Sequence, residues 1–245
     1  MSKTIYFIPG TMCNQQLWLP VWQLLREQCN EELQLIHLVI PSSGTMDEVV
    51  DALAHKIIEK NAILVGFSLG GYIASAIALK LAHKLQHLLI VSNCPKNLPE
   101  AEIKQRKRTV DWIKQRGYTG IPHKRIDDLL HPKIKQLSLP RYQHIKQTIV
   151  EMDQALGVNV LLHQISVSLL RPNLLSLLAN LTLPITFLVG DEDNLVELVS
   201  FRKELAQMFT IEENVLIHEI ANTGHMLPLE SPQVLATKII HILTS

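Results

Sequence analysis

The chain lacks a surplus of charge, a cysteine framework and any long apolar run. Its 245 residues carry 23 basic and 23 acidic side chains. A nucleic-acid binder would want a basic face, and no excess of that sign is present. The three cysteines, Cys13, Cys29 and Cys94, are odd in number and widely spaced. They form neither a disulfide framework nor a zinc pattern. No apolar stretch approaches the roughly 18–20 residues that cross a bilayer. The opening Met1-Ser2-Lys3-Thr4-Ile5-Tyr6-Phe7-Ile8-Pro9-Gly10 is too short in apolar residues for a secretory signal. A reduced, cytoplasmic protein without a membrane span is the expectation. Internal repeats, low-complexity tracts and heptads are also missing. What remains is a chain, nearly half hydrophobic, that can build one large core.

What is there is organised around Gly66-Phe67-Ser68-Leu69-Gly70-Gly71. The apolar run Ala62-Ile63-Leu64-Val65 precedes it, and an alanine-rich helical stretch from Tyr72 follows. Strand, tight turn with a serine at its tip, then helix is the G-x-S-x-G elbow pattern. Glycines are needed there because strand and helix backbones pass close together. An ordinary strand–turn–helix with a capping serine is the blander reading.

The rest of the chain alternates. Thr4 to Ile8 reads as a strand stopped by Pro9-Gly10, and Leu33 to Ile40 as a second. Thr45 caps a helix expected from Met46 to about Lys60, with Val49, Val50, Leu53, Ala54, Ile57 and Ile58 on one face. The third strand leads into Ser68, and its helix ends near Lys84. A fourth strand spans Leu88 to Val91. Ile185 to Gly190 and Val215 to Ile220 read as the fifth and sixth. A helix from Val199 to Phe209 separates them, and Ser231-Pro232 starts the last helix. This order predicts a mostly parallel α/β sheet of about six strands with helices on both faces. Ligands then bind beyond the carboxyl ends of the strands.

Between residues 96 and 182 the strand signals vanish. Helical segments are expected at 100–116, 124–130, 132–137, 141–156 and 159–170, with a short one after Pro172. The expected organisation is a core of residues 1–95 and 183–245, with a helical cap over Ser68 from 96 to 182.

A serine needs a base to take its proton, and the base needs a carboxylate to orient it. Asp191-Glu192-Asp193 follows strand five, and Gly224-His225 follows strand six. Ser68, Asp193 and His225 would converge at one sheet edge, in an order found in α/β-hydrolases.

On these motifs the chain resembles the α/β-hydrolase-fold serine hydrolases. It is most similar to small capped carboxylesterases and enol-lactonases, the group that includes the pimeloyl-carrier-protein methyl esterase. The stretch Gly224-His225-Met226-Leu227-Pro228-Leu229-Glu230-Ser231-Pro232 carries much of the resemblance. The resemblance implies Ser68 as nucleophile, His225 as base and Asp193, rather than Asp191, as acid. It implies backbone N–H groups of Leu69 and Thr11 as oxyanion donors. Pro9 stands where the family has a histidine, and Pro41-Ser42-Ser43-Gly44 lacks the family's glycine-rich loop.

The implied activity is hydrolysis of a small or medium carboxylic ester through an acyl-enzyme, with no cofactor or metal. Lactone or thioester hydrolysis would use the same groups. A carbon–carbon bond hydrolase is a more distant relative. A silent binding module on the same fold is the alternative of another class. The partner is a small-molecule ester, and the resemblance also allows an acyl-carrier protein.

Other conspicuous residues have plainer readings. His83 and His87 read as surface or helix-end residues rather than metal ligands. Lys104-Gln105-Arg106-Lys107-Arg108 reads as a solvated helix face, or else as a cap patch for an acidic carrier or a substrate carboxylate. Cys13 and Cys94 lack the histidine pairing of a nucleophile. Trp18, Trp22 and Trp112 read as packing residues. Leu161, Leu162, Ile165, Leu169 and Leu170 read as packing within the cap, some facing an acyl pocket.

Overall fold

The strand residues alternate in the direction they face, and both faces are apolar. A computed structural model describes residues 2–208 and 215–244. Its six strands are β1 (Lys3–Ile8), β2 (Leu33–His37), β3 (Ala62–Phe67), β4 (Leu85–Val91), β5 (Ile185–Gly190) and β6 (Val215–Ile220). They form one parallel sheet in the order β2-β1-β3-β4-β5-β6. Ile5, Phe7, Val65, Phe67 and Val91 point to one face. Tyr6, Ile8, Leu64, Ile90 and Phe187 point to the other. Such double burial requires helices on both sides.

The first face packs against α1 (Leu19–Gln28) and the last helix, Pro232–Thr244. The second face takes α2 (Met46–Ala54) and α3 (Leu69–Leu81). The inserted region contributes α4 (Glu100–Arg116), α5 (His123–Leu129), α6 (Ile134–Leu137), α7 (Leu139–Leu169) and α8 (Leu175–Leu178). Gly157, at φ 75°, breaks α7 in two, where two helices are expected. Ile126, Leu130, Tyr142, Ile145 and Met152 join the first-face cluster. The insertion thus shares its apolar core with the sheet. Helix α9 spans Leu198–Met208, and Phe209, the expected end, lies outside the described residues.

Three boundaries differ from expectation. Helix α2 stops at Ala54, not Lys60. Ile57 N–H bonds to Ala54 O in a tighter turn, and the Tyr6 hydroxyl accepts Ile58 N–H at 3.3 Å. Ile57 turns inward, while Ile58 is 72% exposed. Strand β2 ends at His37, although Leu38 N–H still bonds to Phe7 O. Strand β4 begins at Leu85, so His87 lies on a strand with Nε2 2.9 Å from Thr186 Oγ1.

Close approach governs the elbow. A methyl on Gly70 would fall 2.2 Å from Ile8 O and 2.3 Å from Pro9 O. Backbone cannot yield as a side chain does. Gly70→Ala is expected to cost about 3 kcal/mol or more, read as a lowered urea midpoint.

Candidate active site

Strand β3 ends in Phe67, and α3 begins at Leu69, so Ser68 alone makes the turn. It adopts φ 51°, ψ −118°, an arrangement that a non-glycine residue holds only under constraint. Its N–H bonds to Val91 O at 2.9 Å, and its carbonyl accepts Gly71 N–H at 2.8 Å. The side chain is left half-buried at the carboxyl end of the sheet.

Two loops bring the other groups to it. His225 Nε2 lies 3.0 Å from Ser68 Oγ. His225 Nδ1 lies 2.9 and 3.0 Å from the two carboxylate oxygens of Asp193. Both are buried, at 4% and 7% exposure. Asp193 also accepts Leu195 N–H at 2.9 Å, which fixes the loop after β5. Asp191 does not reach the histidine. Its carboxylate accepts Asn222 and Thr223 N–H, each at 3.0 Å, and so pins the loop after β6 to the loop after β5.

The β1 loop lies against the serine. A methyl on Gly10 would sit 3.1 Å from Ser68 Cβ. Cys13 N–H closes a turn onto Gly10 O around Thr11 and Met12. Among the described residues, neither Thr11 N–H nor Leu69 N–H finds an acceptor. As the first donor of its helix, Leu69 N–H has no intrahelical partner.

Three supports went unread in the sequence. Gln164 of α7, buried, accepts Met12 N–H at 2.9 Å and ties the β1 loop to the insertion. Met12 itself sits at φ 56°. Glu230, 3% exposed, accepts His131 N–H at 2.7 Å and Met226 N–H at 3.1 Å. Burial holds its carboxyl above its ordinary value, against those backbone donors. His225 N–H bonds to Leu129 O at 2.8 Å. The histidine loop is thereby clamped to the corner between α5 and α6. The Glu230 signal was present in the motif but not its long-range role; Gln164 has no local signal.

The other candidates separate. The Cys13 thiol is buried and pushed up to about 12, chiefly by desolvation, so it is no ready nucleophile. Cys94 is raised to about 12 for the same leading reason. Trp18 packs between Phe7 and Phe67, and Phe67 lies 5.2 Å from the His225 ring. Trp112 is 55% exposed, which departs from a packing role. Its place on the outer side of polar helix α4 explains this. Leu170 is 84% exposed, because it follows the end of α7, while Ile165 is buried. In the basic stretch Lys104, Lys107 and Arg108 are exposed, whereas Arg106 turns inward to Ser168. Among the described residues no group of three or more metal-ligating side chains is gathered. None of the described helices is long and apolar enough to cross a membrane.

A parallel sheet with a strained serine after its third strand defines an α/β hydrolase architecture. The chain belongs to the alpha/beta hydrolase family, which matches residues 5–238. It is 26% identical to the 2-succinyl-6-hydroxy-2,4-cyclohexadiene-1-carboxylate synthase of Yersinia pseudotuberculosis serotype O:1b (strain IP 31758), over 98% of this chain and 87% of that one. Its fold is similar to a thermophilic esterase from Thermogutta terrifontis, solved with malate bound. The TM-score is 0.78 at 22% identity, covering 99% of this chain and 89% of that one. It is also similar to the enol-lactonase from Burkholderia xenovorans LB400, with a TM-score of 0.79 at 14% identity, covering 100% and 92%.

Proposed function

We propose that the protein is a serine hydrolase of carboxylic esters. The observation that carries this reading is the unbroken hydrogen-bond chain Asp193–His225–Ser68. Asp193 accepts the Nδ1 proton of His225, which leaves Nε2 as the base facing Ser68. Ser68 Oγ attacks the ester carbonyl and gives its proton to His225. Charge develops on the carbonyl oxygen, where the free N–H groups of Leu69 and Thr11 can receive it. The oxyanion collapses, His225 protonates the departing alkoxide, and an acyl-Ser68 ester remains. Water, deprotonated by His225, then attacks that ester and releases the acid, restoring Ser68. The residues 96–182, tied to the β1 loop by Gln164 and to the histidine loop through Leu129 and His131, form the cap over this site.

The test is a panel of p-nitrophenyl esters of increasing acyl length, with a lactone and a thioester of matched length. Turnover that peaks at small or medium chains is expected. Absence of turnover on every ester, lactone and thioester would contradict the proposal.

A second reading is favoured by the Yersinia relatives, which are named as a synthase rather than as an esterase. On it, the same relay moves a proton within a carboxylate-bearing substrate, and no acyl-enzyme forms. A Ser68-dependent conversion of such a substrate, without ester turnover, would select that reading.

A further inference from the structure

Arg171 follows α7, and among the described residues no carboxylate bonds its guanidinium. Its Nε donates to Lys96 O at 2.9 Å. Its guanidinium carbon lies 4.7 Å from the centroid of the Tyr72 ring. Tyr72 is buried and donates its hydroxyl proton to Pro172 O at 3.0 Å. One edge and one face of the guanidinium are thereby used, and the two terminal amino groups remain.

Two acids nearby are already engaged. Glu102 accepts from Arg106 Nε at 2.9 Å and from its terminal nitrogen at 2.6 Å. Glu204 is paired with Lys96 at 2.7 Å. Around Arg171 itself the charged neighbours are Arg106 and Glu102, so two guanidinium groups face one carboxylate. Arg171 registers it: burial first, then repulsion from Arg106, pushes the guanidinium down to about 10. A partly desolvated cation of this kind is completed by an anion. A carboxylate fits the planar fork of a guanidinium.

Two chains of contacts lead from the reaction site to these arginines. Tyr72 stands four residues beyond Ser68 on α3, a rise of ~6 Å. On α7, Gln164 holds the Met12 N–H of the β1 loop, and Ser168, a further ~6 Å along the axis, accepts Arg106 at 2.8 Å. The first route reaches Arg171 through the Tyr72 ring, and the second reaches Arg106 through Ser168.

We propose that Arg171, braced by Tyr72 and backed by Arg106, is the subsite for a carboxylate on the substrate. The preferred substrate is then a half-ester of a short dicarboxylic acid, with its free carboxylate on Arg171 and its ester carbonyl at Ser68. This rests on the hydrolase reading of Ser68 and adds the substrate class to it. The exposed side chains of Lys104, Lys107 and Arg108 take no part.

The test compares the p-nitrophenyl half-ester of glutaric acid with its methyl-capped analogue, which replaces the charge by a methyl ester, both read by release of p-nitrophenol. The wild-type kcat/KM ratio is expected to favour the acid at least ten-fold. Arg171→Met should lower that ratio at least ten-fold, whereas Lys104→Met on the exposed face of α4 should leave it unchanged. A wild-type ratio near one, or equal losses on both esters in Arg171→Met, would overturn the subsite. Should Arg171→Met fail to fold, inhibition of the wild type decides: glutarate must bind at least ten-fold more tightly than glutaramide, and equal binding overturns the proposal. The two readings fail separately. Stabilisation against heat by glutarate and not glutaramide, lost in Arg171→Met, in a protein that cleaves no ester would keep the subsite and remove the esterase. Cleavage of both esters at equal efficiency would keep the esterase and remove the subsite.

Discussion

Ser68→Ala abolishes ester turnover while the fold persists. The expected fall in kcat is about 10⁶-fold, because removal of the attacking oxygen leaves only binding and the backbone donors. Folding should be little affected. Among the described residues the Ser68 side chain bonds only to His225, and the turn is held by its backbone N–H and carbonyl. Alanine keeps the Cβ already present at φ 51°. The paired measurement is initial rate on a short p-nitrophenyl ester and unfolding by urea. Retention of wild-type rate by a pure Ser68→Ala protein would move the nucleophile elsewhere.

Asp193→Asn and Asp191→Asn separate two acids only two residues apart. Asp193 holds the Nδ1–H of a buried histidine with both carboxylate oxygens. An amide there can present its NH2 to Nδ1, favouring the tautomer that carries the proton on Nε2. His225 could not then accept the serine proton. The expected loss in kcat is about 10⁴-fold with KM little changed. Asp191 instead accepts two backbone N–H groups from the loop after β6. Asparagine there keeps one acceptor, so the expected cost is about 1–2 kcal/mol of stability and a near-normal rate. Reversed outcomes would exchange the roles of the two aspartates.

The contrast between these aspartates marks what the sequence could carry. Periodicity and short apolar runs located all six strands and the break at Gly157, because those signals are local. The glycines around Ser68 announced a tight crossing, and backbone oxygens lie within 2.4 Å of where a methyl group on Gly66 or Gly70 would fall. Helix ends were less legible. Helix α2 stops because Tyr6, 52 residues away, takes the Ile58 N–H. Gln164 meets Met12 across 152 residues, and Glu230 meets His131 across 99. No spacing rule reports such pairs, since a side chain bonding to a distant backbone leaves no pattern in either segment. Arg106 shows the same limit. Within its basic run it looked like its neighbours, and only the packing of α4 on α7 turns it towards Ser168.

These long-range supports also explain how the insertion bears on the chemistry. Gln164 holds the loop that presents Thr11, and the α5–α6 corner holds the loop that presents His225. Both loops therefore depend on residues 96–182 for their placement, although Ser68 and Asp193 follow strands of the sheet.

Ser68 is proposed here as an armed nucleophile. The most direct measurement is reaction of the intact protein with a fluorophosphonate, followed by peptide mass spectrometry. A single adduct on Ser68, absent in His225→Ala, is the result predicted. Folded wild-type protein that forms no adduct, or forms one at another residue, would contradict it.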